Sequence, residues 1–219
     1  MGEQGSMTHK QWLDNEYRMW IDALQNSTMD NFKEHDMVKR MLSEDIKFPV
    51  KLRPNLSLED TELIAKINQI GRSSNGITDV CWRMVYYADL VLRREPFSLV
   101  EIGAGVGEFY AIVRALGYQG NYWIFDLPEV QEFQAEYLLE VQRRTGLKML
   151  PFRLEYEFCI SFYALGEFDD EVKTEYIENV VKRCPRGMIA WNPHSGASSE
   201  MPFDCEVMDQ YDGSKLLLW

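Results

Sequence analysis

The apolar positions of this chain change rhythm once, near residue 95. Before that point they recur at helical spacing. Trp12, Tyr17, Trp20, Ile21 and Leu24 fall near one face within residues 8–48, and a more charged helical stretch covers 29–42. Phe48-Pro-Val-Lys-Leu-Arg-Pro is a connector, because two prolines block helix. Ser57 caps a helix over 58–70, with Asp60 three positions on and Gly71 as its stop. The polar loop Gly71-Arg-Ser-Ser-Asn-Gly leads to Thr78, which starts a helix rich in Trp82, Met84, Val85, Tyr86 and Leu90. Glu95-Pro96 ends it.

From there short apolar runs alternate with helical patterns. A strand at 98–102 precedes a helix at 107–116, and a strand at 121–125 precedes a helix at 128–144 that Pro128 opens and Gly146 closes. A short strand is expected near 148–153 and another at 158–162. The helix at 169–183 begins with Asp169 and Asp170 and finishes with Lys182 and Arg183, matching the helix dipole. A strand at 187–192 follows. Two extended runs, 203–208 and 214–219, flank the turn signal Asp212-Gly213. The alternation predicts an α/β protein: a mainly parallel seven-stranded sheet with helices on both faces, a C-terminal antiparallel hairpin and an N-terminal helical cap. Residues 1–7 read as a tag remnant, 8–95 as the helical cap and substrate region, and 96–219 as the core of one structural domain.

Charge narrows the partners. The net charge is −12, which argues against nucleic acid and anionic membrane surfaces and favours a neutral or weakly charged acceptor. Cys81, Cys159, Cys184 and Cys205 are scattered without metal spacing, as expected of reduced thiols in a cytoplasmic protein. No apolar run approaches the length of a membrane span, and no basic-then-apolar leader opens the sequence.

The chemistry concentrates in Leu99-Val-Glu-Ile-Gly-Ala-Gly-Val-Gly and in Asp126, nineteen residues beyond Gly107. Glycines after a buried strand let backbone approach a ligand, and an acid ending the next strand can accept two hydrogen bonds from a ribose diol. Glu101 stands inside the first strand, where a carboxylate can meet a ligand ammonium group. This acid, and a sheet closing on a hairpin instead of a second βαβαβ half, point away from a dinucleotide.

These residues resemble class I S-adenosylmethionine-dependent methyltransferases, whose fold is Rossmann-like. Residues 70–192 are more narrowly similar to a family of sugar O-methyltransferases, through Glu101-Ile-Gly-Ala-Gly-Val-Gly, Phe125-Asp-Leu-Pro-Glu, Tyr137-Leu-Leu, Ala164-Leu-Gly-Glu-Phe and Tyr176. Family members often read Ser-Phe-Xaa-Glu-Met where this chain has Ala164-Leu-Gly-Glu-Phe, which puts any role of that serine in doubt here. The resemblance implies S-adenosylmethionine as cofactor, S-adenosylhomocysteine as product, and the hydroxyl of a hexose or 6-deoxyhexose as acceptor. Glu101 would orient the methionine part, and Gly103, Ala104, Gly105 and Gly107 would give close approach. Asp126 would hold the ribose and Leu127 would press on adenine. Phe162 would lie beside the cofactor, and Arg72 would pair with its carboxylate. Asn192 and Tyr163 are candidates for acceptor binding. No metal is expected. Domains of this type also occur joined to glycosyltransferases, so the chain is also readable as one module of a larger glycan-assembly protein.

Methyl transfer to a hydroxyl needs a proton acceptor beyond the carboxyl ends of the strands. Glu167 and His194 qualify, and histidine suits proton transfer near neutral pH. Three alternatives stay open: methylation of another small molecule or a protein, a non-catalytic methyltransferase-like binding domain, and an NAD-dependent oxidoreductase.

Overall fold

The computed structural model describes residues 18–27, 35, 47–54, 61–71, 77–146, 156–191 and 204–219. Two compact units divide the chain, residues 1–45 and 46–219. In the first, helix α1 covers residues 18–25 and buries Trp20, Ala23 and Leu24. The helix expected at 29–42, the Ser57 cap and the strand expected near 148–153 lie outside the described residues, His35 excepted.

The second unit opens with α2 (Thr61–Ile70) and α3 (Asp79–Leu92). Thr78 caps α3, its hydroxyl accepting from the Cys81 amide at 3.2 Å. Then come β1 (Ser98–Ile102), α4 (Glu108–Ala115), β2 (Asn121–Phe125) and α5 (Pro128–Thr145). Gly146 closes α5 in the left-handed conformation, with φ of 69°. Next are β3 (Phe158–Phe162), a one-turn helix α6 (Ala164–Glu167), α7 (Asp170–Asn179) and β4 (Arg186–Trp191). The helix expected at 169–183 stops earlier, because Val180 leaves helical geometry and a 3-10 turn at Val181–Arg183 feeds β4. The last elements are β5 (Glu206–Asp209) and β6 (Lys215–Leu218).

Among the described residues the sheet has six strands, not seven, in the order β2-β1-β3-β4-β6-β5. β1 through β4 are parallel, while β6 pairs antiparallel with both β4 and β5. The sheet is therefore mixed, with β6 alone running against its neighbours. Alternate side chains sort to two faces. Val100, Ile102, Cys159, Ile189, Trp191 and Leu217 form one core with Val180 and Val181, against Tyr176 and Ile177 of α7. Leu99 and Glu101 point to the opposite face.

The order reverses between β1 and β3, since the chain steps from β1 to β2 on one side and from β3 to β4 on the other. An open α/β sheet places its ligand beyond the carboxyl ends of the strands at such a reversal. Four connections meet at that end: the turn after β1, Asp126 after β2, Tyr163 after β3, and the turn before β6, whose Lys215 pairs with Trp191 at the end of β4.

Candidate functional site

The turn after β1 takes a left-handed conformation at Gly103 (φ 72°), Gly105 (57°) and Gly107 (86°). A Cβ on Gly103 would come within 2.1 Å of the Ala164 Cβ, so glycine is needed for space as well as for backbone angle. A Cβ on Gly105 would meet nothing within 4 Å. The glycine amides are turned inward. Gly103 N–H donates to the Phe125 carbonyl at 2.8 Å, and Gly107 N–H to the Ala104 carbonyl at 2.9 Å. Gly105 N–H donates to Asp126 Oδ2 at 3.0 Å.

Asp126 is the hub of this arrangement. Its Oδ2 also accepts from Gln134 Nε2 at 2.8 Å, and its Oδ1 from the Leu127 amide at 2.8 Å. Gln134 Nε2 reaches the Gly105 carbonyl as well, at 2.6 Å, tying α5 to the turn. Burial raises the Asp126 carboxyl to about 6 against these bonds. Leu127 beside it is 40% exposed, leaving an apolar surface next to the carboxylate.

Glu101 lies on the same side of the sheet, 2% exposed, with its Oε2 accepting from the Tyr122 hydroxyl at 2.6 Å. Burial dominates here too and raises its carboxyl to about 8, with Asp126 adding to the rise. The sign of the consequence is fixed: both acids bind protons more tightly folded than unfolded. Their contribution to stability is present at low pH and is lost as pH rises through about 6 for Asp126 and about 8 for Glu101. Glu101→Gln is therefore expected to flatten the fall in melting temperature between pH 5 and 8.5, by on the order of 5 °C. A pH series of thermal melts checks this, and identical slopes in both proteins would refute it.

The helix after the turn already carries an acid at its positive end. Glu108, 4% exposed, accepts from the Cys81 thiol at 3.2 Å. Phe162 ends β3 with its ring stacked on Tyr87 at 4.7 Å and edge-on to Phe109 at 4.6 Å.

Tyr163 follows in the left-handed conformation, with φ of 73°. For a bulky residue this costs about 1–3 kcal/mol and persists only where its surroundings fix it. Here the phenol is fixed: it donates to Asp212 Oδ2 at 3.0 Å and lies 3.0 Å from the Tyr87 hydroxyl. With its one proton given to Asp212, Tyr163 accepts from Tyr87. The buried Arg83 guanidinium sits 5.5 Å from the centre of the Tyr163 ring.

Glu167 closes α6, partly exposed at the same end of the sheet. Arg72, Asn192 and His194 lie outside the described residues. Sequence reading missed Tyr122, Gln134, Arg83 and the role of Asp212.

No family model and no curated protein matches the chain. Solved structures with a similar course include an S-adenosylmethionine-dependent methyltransferase from Aquifex aeolicus, 16% identical, matched over 60% of this chain and 87% of its own, with a TM-score of 0.43. An O-methyltransferase family protein from Burkholderia thailandensis is 10% identical over 96% of this chain and 69% of its own, with a TM-score of 0.47. An O-methyltransferase family 2 protein from Planctomyces limnophilus, solved with apigenin, is 16% identical over 85% and 67%, with a TM-score of 0.43. Likeness at this level says nothing of this chain's activity or substrate.

Proposed function

We propose that this chain is an S-adenosylmethionine-dependent O-methyltransferase whose acceptor is a sugar hydroxyl. The observation that carries the cofactor reading is the direction of the glycine amides. All three donate within the protein, so none of them is offered to a pyrophosphate, and buried Glu108 puts an acid in the first turn of the helix that would have to face a phosphate. Two acids with raised proton affinity, Glu101 and Asp126, mark a site short of positive charge. A ligand with an adenosine, no phosphate and a cationic tail fits these residues, whereas a dinucleotide does not. Bound there, S-adenosylmethionine would supply an electrophilic methyl group on sulfur.

The chain's own residues then position the partners. Asp126 holds the ribose, Leu127 covers the adenine, and Glu101 faces the ammonium group. Gly103, Ala104, Gly105 and Gly107 let the backbone close in, and Phe162 and Arg72 complete the cofactor wall. Asn192 and Tyr163 contact the acceptor, and Glu167 and His194 are the candidates to take its proton. The sugar rests on the resemblance of Asp126-Leu-Pro-Glu and Ala164-Leu-Gly-Glu-Phe, and on the net charge of −12, which suits a neutral acceptor. A cytoplasmic location and membership of a larger glycan-assembly protein belong to the same reading. Among the described residues no helix is long and apolar enough to cross a membrane.

Thermal shift tests the cofactor: S-adenosylhomocysteine should raise the melting temperature and NADH should not. The opposite result overturns the proposal. Labelled cofactor with a panel of hexosides and 6-deoxyhexosides tests the acceptor, and label passing to protein or nucleic acid instead would replace the sugar. Glu167→Gln and His194→Ala should each leave S-adenosylhomocysteine affinity within about twofold and slow transfer about a hundredfold. Full rates in both variants would show that neither takes the proton.

A further inference from the structure

The turn before β6 is built around one carboxylate. Asp212 Oδ1 accepts from the Ser214 amide at 3.0 Å and the Ser214 hydroxyl at 2.5 Å. Asp212 Oδ2 accepts from Tyr163 at 3.0 Å. The bonds run in one sense, Tyr87 to Tyr163 to Asp212, so every phenol proton points toward the carboxylate. Burial opposes the charge on Asp212, yet the donors from Ser214 and Tyr163 outweigh it and hold the carboxyl below its ordinary range. The group is thus an ionised acceptor at neutral pH. A carboxylate oxygen has two lone pairs, and Tyr163 occupies one on Oδ2.

The position matters as much as the chemistry. This turn stands at the end of β4, beside the strained residue after β3 and next to the reversal in strand order. Strain of that kind collects at functional sites. The flanking aromatic surface comes from half-buried Tyr211 and Tyr86, joined by buried Phe48, which lies edge-on to Tyr211 at 5.2 Å and 5.6 Å from Tyr86. Buried Arg83 and half-buried Asp212 give this wall one charge of each sign. A neutral polyol, with hydroxyls on its rim and apolar C–H faces, matches such a wall better than an anion does.

We propose that Asp212 anchors one hydroxyl of the acceptor, taking a hydrogen bond on Oδ2, with Tyr163 and the turn holding that oxygen in place. The inference rests on the methyl-transfer reading and adds to it a residue for acceptor recognition. Asp212 is a positioning residue here: it fixes which face of the polyol is presented.

The test uses the full chain saturated with S-adenosylhomocysteine. The methyl glycosides of rhamnose and glucose are titrated and followed by ligand-observed NMR. At least one glycoside should bind the parent. Asp212→Ala and the nearly isosteric Asp212→Asn should weaken it at least tenfold, and Tyr163→Phe should weaken it less, by about threefold. All three variants should keep S-adenosylhomocysteine affinity within about twofold, which a merely damaged fold would not. Glycosides that bind the Asp212 variants as tightly as the parent, or that fail to bind the loaded parent, overturn the proposal. A parent that binds no S-adenosylhomocysteine overturns the cofactor reading instead. The same titration without nucleotide separates the two failures, since dependence on Asp212 would then survive without the cofactor.

Discussion

Asp126→Ala is expected to weaken S-adenosylhomocysteine binding a hundredfold or more, about 3 kcal/mol. The loss has two sources. The carboxylate would take the ribose hydroxyls, and it also holds the turn, through Gly105 N–H at 3.0 Å and Gln134 at 2.8 Å. Without it, Gly105 N–H loses its acceptor, Gln134 keeps only the Gly105 carbonyl, and the cradle between β1 and β2 loosens. Asp126→Asn separates these sources. Its one carbonyl oxygen can keep both Gly105 N–H and Gln134, which share Oδ2, while the Leu127 amide loses its acceptor, so it should lose less affinity than alanine while remaining well below the parent. Calorimetric titration of the parent and both variants reads this directly. Equal affinity in all three would mean that the nucleoside, if bound, sits elsewhere.

Gly103→Ala is expected to be severely damaging, since among the described glycines Gly103 alone combines a left-handed φ with a Cβ contact under 3 Å. The new Cβ would lie 2.1 Å from the Ala164 Cβ on a backbone with φ of 72°. Overpacking together with a left-handed alanine costs about 3 kcal/mol or more, a fall of roughly 6–12 °C in melting temperature for a chain of this size. The pair Gly103→Ala, Ala164→Gly isolates the contact. Removing the opposing Cβ relieves the clash but not the backbone strain, so the double variant should recover about half of the loss. A double variant no more stable than Gly103→Ala alone would show that φ, and not Ala164, sets the requirement. This contact also gives a physical sense to alanine at 164: a residue there must stay small for the glycine turn to pack on α6.

Much of this fold was legible because its signals are local. Thr78 and Asp169 bond amides three residues ahead, so the spacing itself announces the cap. Gly146 ends α5 in the conformation glycine favours. What stayed hidden depends on contacts across the sheet. Tyr122 and Glu101 are on different strands, and only the register of β1 against β2 brings a phenol to that acid. The turn at Asp212-Gly213 reads as a hairpin signal, yet nothing local says that its carboxylate meets Tyr163, 49 residues earlier. The left-handed angle at Tyr163 has no signature either, because tyrosine is not a residue that favours it. The glycine motif predicts a tight turn, but the direction of the Gly103 and Gly105 amides is set by Phe125 and Asp126 at the end of β2.

The strand order carries a consequence for synthesis. β6 is made after β5 yet lies between β5 and β4. While the ribosome has delivered the chain only as far as Asp209, β5 has no neighbour to join, and the outer hydrogen-bonding edge of β4 stands open. An open edge of this kind recruits strands from other chains. The nascent chain is therefore exposed to misassembly once β4 has formed, until the segment Lys215–Leu218 slides in and seals the gap.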